Sequence, residues 1–389
     1  MTTGPNVTEL SRFPGPARFV LDVVADIEMG KSVVVVFPDA LVDVGVADAV
    51  LAEIALESSR SEYCESSGDP FPSRVLSTFG AEPGAFRIFG EWETVVGWEA
   101  WHQSWLIVTG WGHPDLCEIL DRWPSQMMAC GLSEHDRPKL VIGLRLADVS
   151  RATLLHLDQL TIAVHWWWGV LDRLDTETRL ASVAPRGGLG FVDAAVITEI
   201  AGWDLRCIDF LVENWDRTTT GIGSAVARYQ QEVGDGPERD NGAINRAVRQ
   251  SRHSIGPPVD LEQHWRHARV ERWGYSIRHS PMTMEGSEIK RRVWLAHNRT
   301  LMPHVDDERG RYEAIIRGKV RPEVIEDVVR DDDIIEIGAL KKLVNTRVVD
   351  IGKTERLRLQ FFGHLRNKLA HREPIDDATL RQTVQYLGF

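Results

Sequence analysis

The chain has 389 residues, 43% of them hydrophobic and 26% charged, which is the composition of a globular protein with more than one domain. A net charge of −12 argues against a surface coated for nucleic acid, although residues 290–389 are slightly basic, with 20 basic and 16 acidic side chains. Four widely spaced cysteines give no zinc or disulfide pattern, and we find no secretory signal and no run of about 18 apolar residues. We therefore expect a cytoplasmic protein without a membrane partner.

A parallel sheet is predicted for residues 1–185. Residues 32–38 (SVVVVFP) form a continuous β-branched run that ends in proline, which is typical of a strand buried on both faces. Three more apolar runs, separated by helical patterns such as 41–57, predict an α/β domain with helices on both sides of the sheet. Polar residues at 58–74 and 184–190 predict loops. The three further runs lie at 104–111, at 137–146 and from residue 160 onwards.

Helical patterns dominate from residue 191 onwards, with almost no strand signal and a polar break at 231–246. We predict a helical linker or middle region at 191–285 and an all-α domain at 286–389. The predicted helical segments lie at 191–215, 287–318 (two helices hinged at Pro303), 321–329, 334–347, 354–371 and 376–387.

The segment Gly30-Lys31-Ser32 ends like the phosphate-binding P-loop, GxxxxGK[ST]. A P-loop leaves a strand and opens a helix, so that backbone N–H groups hold the phosphates. Here a helical pattern precedes Gly30, a strand follows Ser32, and the upstream glycine is missing. The order of elements favours a helix C-cap at Gly30 with Lys31 at a strand start over a phosphate contact from Lys31.

A P-loop would belong after the first strand, at 37–45, where Gly-Lys-Ser/Thr does not occur. Thr109 and Gly110, at the end of the predicted strand at 104–111, occupy the positions where a P-loop NTPase has a Mg²⁺-binding acidic residue. The pattern of strands and helices, with LVIGL at 140–144 and AVHWWWGVLDRLD at 163–175, nevertheless resembles the AAA+/STAND class of P-loop NTPases, in particular degenerate members found beside bacterial conflict systems. The resemblance implies this architecture without nucleotide hydrolysis, because Mg²⁺–phosphate chemistry needs both the phosphate-binding loop and the Mg²⁺-binding acidic residue. We expect no cofactor and no metal.

The segment RNKLAH places Arg366 and Asn367 five and four positions before His371, near the end of a predicted helix. RNA can attack itself through its 2′-OH if a base removes the proton and a cation stabilises the charge on phosphorus. Histidine titrates near neutral pH and suits the proton transfer, and arginine offers a planar donor fork to phosphate oxygens. We assign Arg366 to the phosphate, His371 to proton transfer and Asn367 to orientation.

This Rx4H segment, with a polar residue directly after the arginine, resembles the motif of the HEPN superfamily of small all-helical domains. The resemblance covers at most about the last 100 residues. It implies metal-independent RNA cleavage, often across a homodimer of two such domains. The alternative is a domain that only dimerises or binds, in which Arg366 contacts a neighbouring helix and His371 lies at a helix C-terminus whose dipole favours cations.

Three other features have two interpretations each. RRVWLAHNR (291–299) repeats the pattern with Arg292 and His297 but lacks the polar neighbour, which favours a buried helix over a second catalytic motif.

The histidine pair in HWRH (264–267) has the i, i+3 spacing of metal ligands, yet the absence of partner ligands favours a solvated helix. The three tryptophans at 166–168 are more typical of core packing than of a stacking platform.

Two functional hypotheses remain. In the first, the chain is a component of bacterial antiviral defence, in which an inactive NTPase-like domain controls a HEPN-like ribonuclease that cuts an RNA substrate. In the second, it is a non-catalytic scaffold that binds other subunits of a defence complex through its helical half. The intact Arg366, Asn367 and His371 favour the first hypothesis, and the acidic net charge and lost phosphate loop favour the second.

Overall fold

The computed structural model describes residues 10, 12–64, 69–81, 91–157, 159–233, 256–326 and 334–388. The chain divides into two compact units. We call Met1–Thr178 with Glu238–Ser280 the α/β unit, and Arg179–Pro237 with Pro281–Phe389 the helical unit. The segment 191–285 is thus divided between the two units, and most of the predicted polar break at 231–246 lies outside the described residues.

The α/β unit alternates strands with helices, as its sequence predicts. Its helices are α1 (Pro14–Glu28), α2 (Asp39–Asp43), α3 (Val46–Leu56), α4 (Phe71–Thr78), α5 (Glu91–Val96), α6 (Leu116–Ala129) and α7 (Arg151–Leu155), with α8 (Arg173–Val183) continuing past its boundary and α12 (Glu262–Arg266) further along the chain. Its strands are β1 (Ser32–Phe37), β2 (Ser61–Tyr63), β3 (Trp105–Thr109), β4 (Lys139–Arg145), β5 (Ile162–Trp166), β6 (Val270–Trp273) and β7 (Ser276–His279).

Five strands form a parallel sheet in the order β2-β3-β4-β1-β5, which confirms the predicted fold class. Strand β1 lies inside the sheet, with Val34 opposite Ile142 of β4 on one side and Val164 of β5 on the other. Every residue of β1 is buried, because helices cover both faces of a parallel sheet. Each fully buried valine of this strand contributes about 1.5–3 kcal/mol of transfer free energy.

Three predictions about the local structure of this unit were wrong. The segment 58–74 holds the short edge strand β2, whose three polar residues carry too little hydrophobic signal to be recognised. Gly45, with φ 78°, divides the predicted helix at 41–57 into α2 and α3. Residues 270–279 form the antiparallel hairpin β6–β7, where we saw no strand, because its strands have only four residues each.

The helical unit contains α9 (Phe191–Ala201), α10 (Leu205–Asn214), α11 (Ile222–Val233), α13 (Gly286–Arg317), α14 (Pro322–Glu326), α15 (Ile337–Asn345), α16 (Lys353–Ala370) and α17 (Asp377–Leu387). The long helix α13 packs against α9, α15 and α16. The predicted hinge at Pro303 was wrong, because α13 runs through this exposed proline as one helix of 32 residues. None of the helices within the described residues combines the length and the apolar composition that a membrane crossing needs.

The Gly30-Lys31-Ser32 segment is a helix end followed by a strand, as the order of elements predicted. Gly30 adopts φ 84°, its N–H donates to the Ile27 carbonyl, and the Lys31 N–H donates to the Asp26 carbonyl. This is the Schellman arrangement that ends helix α1. The Lys31 ammonium binds the Asp26 carboxylate at 2.8 Å, so the segment has a structural role.

The Ser32 hydroxyl is a buried acceptor for two donors. It accepts hydrogen bonds from the Trp123 indole N–H at 2.7 Å and from the Leu140 backbone N–H at 3.2 Å. These bonds join the start of β1 to helix α6 and strand β4. A buried donor that loses its acceptor costs its full desolvation free energy.

We predict that Ser32→Ala lowers the free energy of unfolding by about 1–3 kcal/mol, because it leaves the Trp123 and Leu140 N–H groups without an acceptor. Lys31→Ala removes only a partly exposed ion pair and should cost about 0–1 kcal/mol. Urea unfolding of both variants measures the difference. A larger loss for Lys31→Ala would show that the charge, and not the hydroxyl, holds this segment.

Candidate functional site

Helix α16, which carries the predicted catalytic residues, ends in a second Schellman motif. Arg372 adopts φ 61° and donates its N–H to the Leu369 carbonyl at 3.3 Å, and the Glu373 N–H donates to the Lys368 carbonyl at 3.2 Å. His371 is the C-cap residue of the helix. A left-handed arginine in place of glycine is strained, so contacts around the turn must hold it there.

Helix α13 provides one of those contacts. The Trp294 indole N–H donates to the Leu369 carbonyl at 2.7 Å, and the Arg372 guanidinium lies 5.8 Å from the centre of the Trp294 ring. On the other side, the Lys368 ammonium binds Asp376, the N-cap residue of α17, at 2.6 Å. The turn that bears His371 is therefore fixed to two neighbouring helices.

The structure brings two of the three predicted catalytic residues together. Asn367 and His371 are exposed and lie one helical turn apart on the same face. Arg366 points about 100° away from Asn367 and about 140° away from His371 around the helix axis. Its guanidinium lies 3.6 Å from the Glu336 carboxylate, and both side chains are substantially exposed, so this ion pair is weak.

The second motif, Arg292 and His297, is buried in the helical unit. The Arg292 guanidinium donates to Glu288 at 2.8 Å and to the Ile200 carbonyl at 3.1 Å, and its side chain has no exposed surface. The bond to Ile200 ties helix α13 to helix α9, as the interpretation as a buried helix predicted. Arg292 is inaccessible to an RNA phosphate in this conformation.

His297 combines a structural bond with a place in a cleft. Its Nδ1 accepts the Ile375 backbone N–H at 2.9 Å, so a neutral ring carries its proton on Nε2. Burial lowers the pKa of His297 to about 4, against the opposing effect of the Asp377 carboxylate. At neutral pH the ring is therefore uncharged and its Nε2–H is a hydrogen-bond donor.

The cleft also holds two charged residues that the sequence analysis missed. Asp193 lies in the first turn of α9, and burial raises the pKa of its carboxyl group although Arg217 opposes the shift. Arg217 is exposed and adopts φ 62°. The polar segment that follows α10 was the available signal for Arg217, whereas the apolar surroundings of Asp193 gave none. The cleft is lined by Val192, Asp193, Val196, Trp215, Arg217, Thr219, Ile222, Val293, His297 and Leu380.

In the α/β unit, the position where a P-loop would follow β1 has the wrong charge for a phosphate. Helix α2 begins with Asp39, whose carboxylate accepts two hydrogen bonds from the Arg266 guanidinium, at 2.7 and 3.0 Å. The Phe37 ring at the end of β1 contacts Trp111 and Trp167, with ring centres 6.3 and 5.8 Å apart. An acid paired with arginine and a set of aromatic rings thus occupy this edge of the sheet.

The end of strand β3 offers no acid either. Gly110 donates its N–H to the Gly143 carbonyl at 2.6 Å, and an added Cβ at Gly110 would lie 2.7 Å from that oxygen. The close approach of the two backbones explains the glycine at 110. Thr109, directly before it, is the last residue of the strand.

The remaining features pack within the α/β unit. Trp166, Trp167 and Trp168 are all buried, and the rings of Trp166 and Trp168 both contact Trp265. The histidine pair 264–267 lies at the end of the five-residue helix α12. Across the described ranges, no group of three or more His, Cys, Asp or Glu side chains is arranged to hold a metal ion.

Comparisons with known proteins do not assign the chain to a family. No family model matches it, and no curated protein matches it. Among solved structures, a RuvB mutant of Thermotoga maritima is similar with 10% sequence identity over 75% of each chain and a TM-score of 0.27. A TM-score this low supports no conclusion about fold or function.

We predict that the stability of the protein depends on the His297 imidazole below pH 6.5. In the unfolded chain the His297 imidazole binds a proton at about pH 6.5, whereas in the folded chain it does so only at about pH 4. The unfolding free energy therefore falls as the pH drops through this window. The loss should reach about 3 kcal/mol. His297→Asn keeps an acceptor for Ile375 but cannot titrate, so its stability should change less over the same range. Urea unfolding at several pH values and an NMR titration of the imidazole measure both quantities, and titration of His297 near pH 6.5 would contradict the prediction.

Proposed function

We propose that this chain is a component of a bacterial defence system whose helical unit cuts RNA without a metal ion. Under this proposal the α/β unit is a sensor or scaffold that does not hydrolyse nucleotide. The observation that carries the proposal is the position of Asn367 and His371. Both side chains are exposed and lie one helical turn apart, and Trp294 and Asp376 hold the helix end that bears His371.

The chemistry assigns one task to each residue. His371 takes the proton from the 2′-OH, and the freed oxygen attacks the adjacent phosphorus. The Arg366 guanidinium stabilises the negative charge on the phosphate oxygens as the bond to the 5′-oxygen breaks. The departing 5′-oxygen takes a proton from solvent and the protonated His371 returns its proton to solvent, which leaves a 2′,3′-cyclic phosphate, a 5′-OH and a neutral imidazole. Asn367 orients the imidazole or the phosphate from the neighbouring position on the helix.

A second copy of the chain would bring an arginine and a histidine to one phosphate. Within one chain Arg366 and His371 lie about 140° apart around helix α16, so they face different sides. The HEPN resemblance implies a homodimer, in which Arg366 of one copy approaches His371 of the other. The weak pair with Glu336 leaves the Arg366 side chain free to change partner at small cost.

The proposed role of the α/β unit is supported by the edge of its sheet. Asp39 would repel a phosphate at the start of α2, and its pairing with Arg266 occupies the cation that could have neutralised one. A unit with this edge suits a sensor or scaffold better than a nucleotide hydrolase.

A second candidate function is a non-catalytic scaffold that binds other subunits of a defence complex. The divergence of Arg366 and His371 within one chain favours it, because exposed polar residues on different faces of a helix also suit a protein interface. Under this alternative the exposed triplet contacts a partner protein, and its mutation affects binding without affecting RNA.

We predict that the purified protein cleaves RNA in EDTA and leaves 2′,3′-cyclic phosphate ends. His371→Ala should reduce the rate by about a hundredfold to ten-thousandfold, because it removes the proton-transfer group. Arg366→Ala should reduce it by a similar factor through loss of the charge on the phosphate. Cleavage of labelled RNA with end-group analysis measures both effects.

The helix carries its own matched control. His364 is exposed on the same helix α16, two turns before His371, so His364→Ala should keep the wild-type rate. Arg381 on α17 is likewise exposed, and Arg381→Ala serves as the control for Arg366→Ala. Equal rates in His371→Ala and in wild type would reject the site and favour the scaffold.

A further inference from the structure

A lysine side chain of helix α15 crosses helix α16 at a glycine. Gly363 is buried in the interior of α16, where glycine is less favourable than alanine. An added Cβ at Gly363 would overlap Cδ of Lys341 and would lie 3.0 Å from its Nζ. The glycine therefore leaves the space that the Lys341 side chain occupies, and the ammonium group lies directly over helix α16.

Helices α15 and α16 pack against each other and run in opposite directions. At one end of their contact, Gln360 donates to the Asn345 side chain at 3.3 Å. At the other end, the Arg366 guanidinium lies 3.6 Å from the Glu336 carboxylate. Lys341 lies between these two pairs along α15, so its place over Gly363 is part of the regular packing of the two helices.

The Lys341 ammonium lies on the same side of helix α16 as two of the proposed site residues. Gly363, Asn367 and His371 follow each other at intervals of four residues, so they lie at successive turns within about 80° around the helix axis. Asn367 and His371 are exposed, and Gly363 precedes His371 by about 12 Å along the axis. This side of the helix therefore presents an ammonium, an amide and an imidazole in order.

The charge of Lys341 is available to an anion. The side chain is half-buried, as expected for a lysine whose stem packs on a helix while its ammonium stays near water. Within the part of the chain that the structure describes, this ammonium forms no hydrogen bond or ion pair. Glu336, just before the start of the same helix, lies beside Arg366 instead.

We propose that Lys341 binds a second backbone phosphate of the RNA strand that His371 cleaves, and that it thereby sets the path of the strand along helix α16. The inference rests on the proposed function. A phosphate in contact with His371 lies about 12 Å further along the helix, so Lys341 contacts a different phosphate of the same strand. Because an ammonium is a compact point charge, this contact adds affinity without a preference for any base.

The test measures binding of a short fluorescent single-stranded RNA to the full chain by fluorescence anisotropy, between about 50 and 200 mM salt. All proteins in this assay carry His371→Ala, so that the RNA stays intact. Lys341→Met keeps an apolar stem over Gly363 and removes the charge. It should weaken binding about three- to tenfold at low salt. It should also reduce the slope of log affinity against log salt by about 0.7, the value for one phosphate contact on a single strand.

Lys319 provides the matched control. Its exposed ammonium donates to the Asp350 carbonyl at 3.0 Å, beyond the end of α13 that is remote from Trp294. Lys319→Met removes the same charge from the protein, so it should leave the RNA affinity and the salt slope unchanged.

A second variant moves the ammonium without changing the net charge. In Gly363→Ala the new methyl group takes the space of the Lys341 stem, so the lysine must leave its place over α16. Alanine favours the helix, and the thermal unfolding midpoint should not fall. RNA binding should weaken about threefold, because the ammonium no longer lies in line with Asn367 and His371.

Kinetics separate this contact from the chemical step. In protein with His371 intact, Lys341→Met should raise KM about three- to tenfold and leave kcat unchanged, because it removes binding that the ground state and the transition state share. His371→Ala should instead lower kcat.

The outcomes for Lys341 and for the ribonuclease are distinguishable. Unchanged affinity and salt slope in Lys341→Met, an equal loss in Lys319→Met, undiminished binding by Gly363→Ala, or no RNA binding at all would each overturn the inference. RNA binding that depends on Lys341, without cleavage by protein with His371 intact, would support the phosphate contact and reject the ribonuclease. Cleavage with the same KM in wild type and in Lys341→Met would support the ribonuclease and reject the contact.

Discussion

Two hydrogen bonds from helix α13 determine where the end of helix α16 lies. The Trp294 indole N–H donates a second hydrogen bond to the Leu369 carbonyl, which also accepts the Arg372 N–H, and His297 accepts the Ile375 N–H. Both contacts use backbone groups, so they hold the course of the chain rather than one side chain. The left-handed Arg372 and the exposed His371 lie between these two points. The proposed catalytic turn and the cleft depend on this pair of bonds.

The two arginine–histidine segments of the helical unit show how burial separates similar sequences. Arg292 has lost all contact with solvent and is bonded to a carboxylate and to backbone carbonyls, as a buried charge requires. Arg366 lies at the surface with a weak partner, and its charge remains available. His297 is likewise buried and His371 exposed. A spacing of residues can place a histidine near an arginine along a helix, but the helix packing decides whether a substrate can reach either.

In the α/β unit, hydrogen bonding decides the role of the Gly30-Lys31-Ser32 segment. The same three residues could hold phosphate only at the carboxyl end of a strand, where backbone N–H groups open towards a ligand. Here they stand at the amino end of β1, and the Ser32 hydroxyl is committed to Trp123 and Leu140. At the carboxyl end of the same strand, Asp39 and Arg266 neutralise each other. The sheet is parallel, but side chains of the protein itself occupy the edge formed by the carboxyl end of β1.

The sequence by itself determined the parallel sheet and most helices, because the continuous valines of β1 and the helical periodicity of α16 are local signals of burial. It also determined the helix end at Gly30. Only the tertiary structure decided on strand β2 and the hairpin β6–β7, which are short, and on the unbroken helix α13, whose Pro303 is exposed. It also decided the cleft, since Asp193 and His297 are 104 positions apart in the sequence and meet only when α9 packs on α13. The packing of these helices also leaves Arg366 accessible and buries Arg292. A local sequence pattern carries no information about this packing.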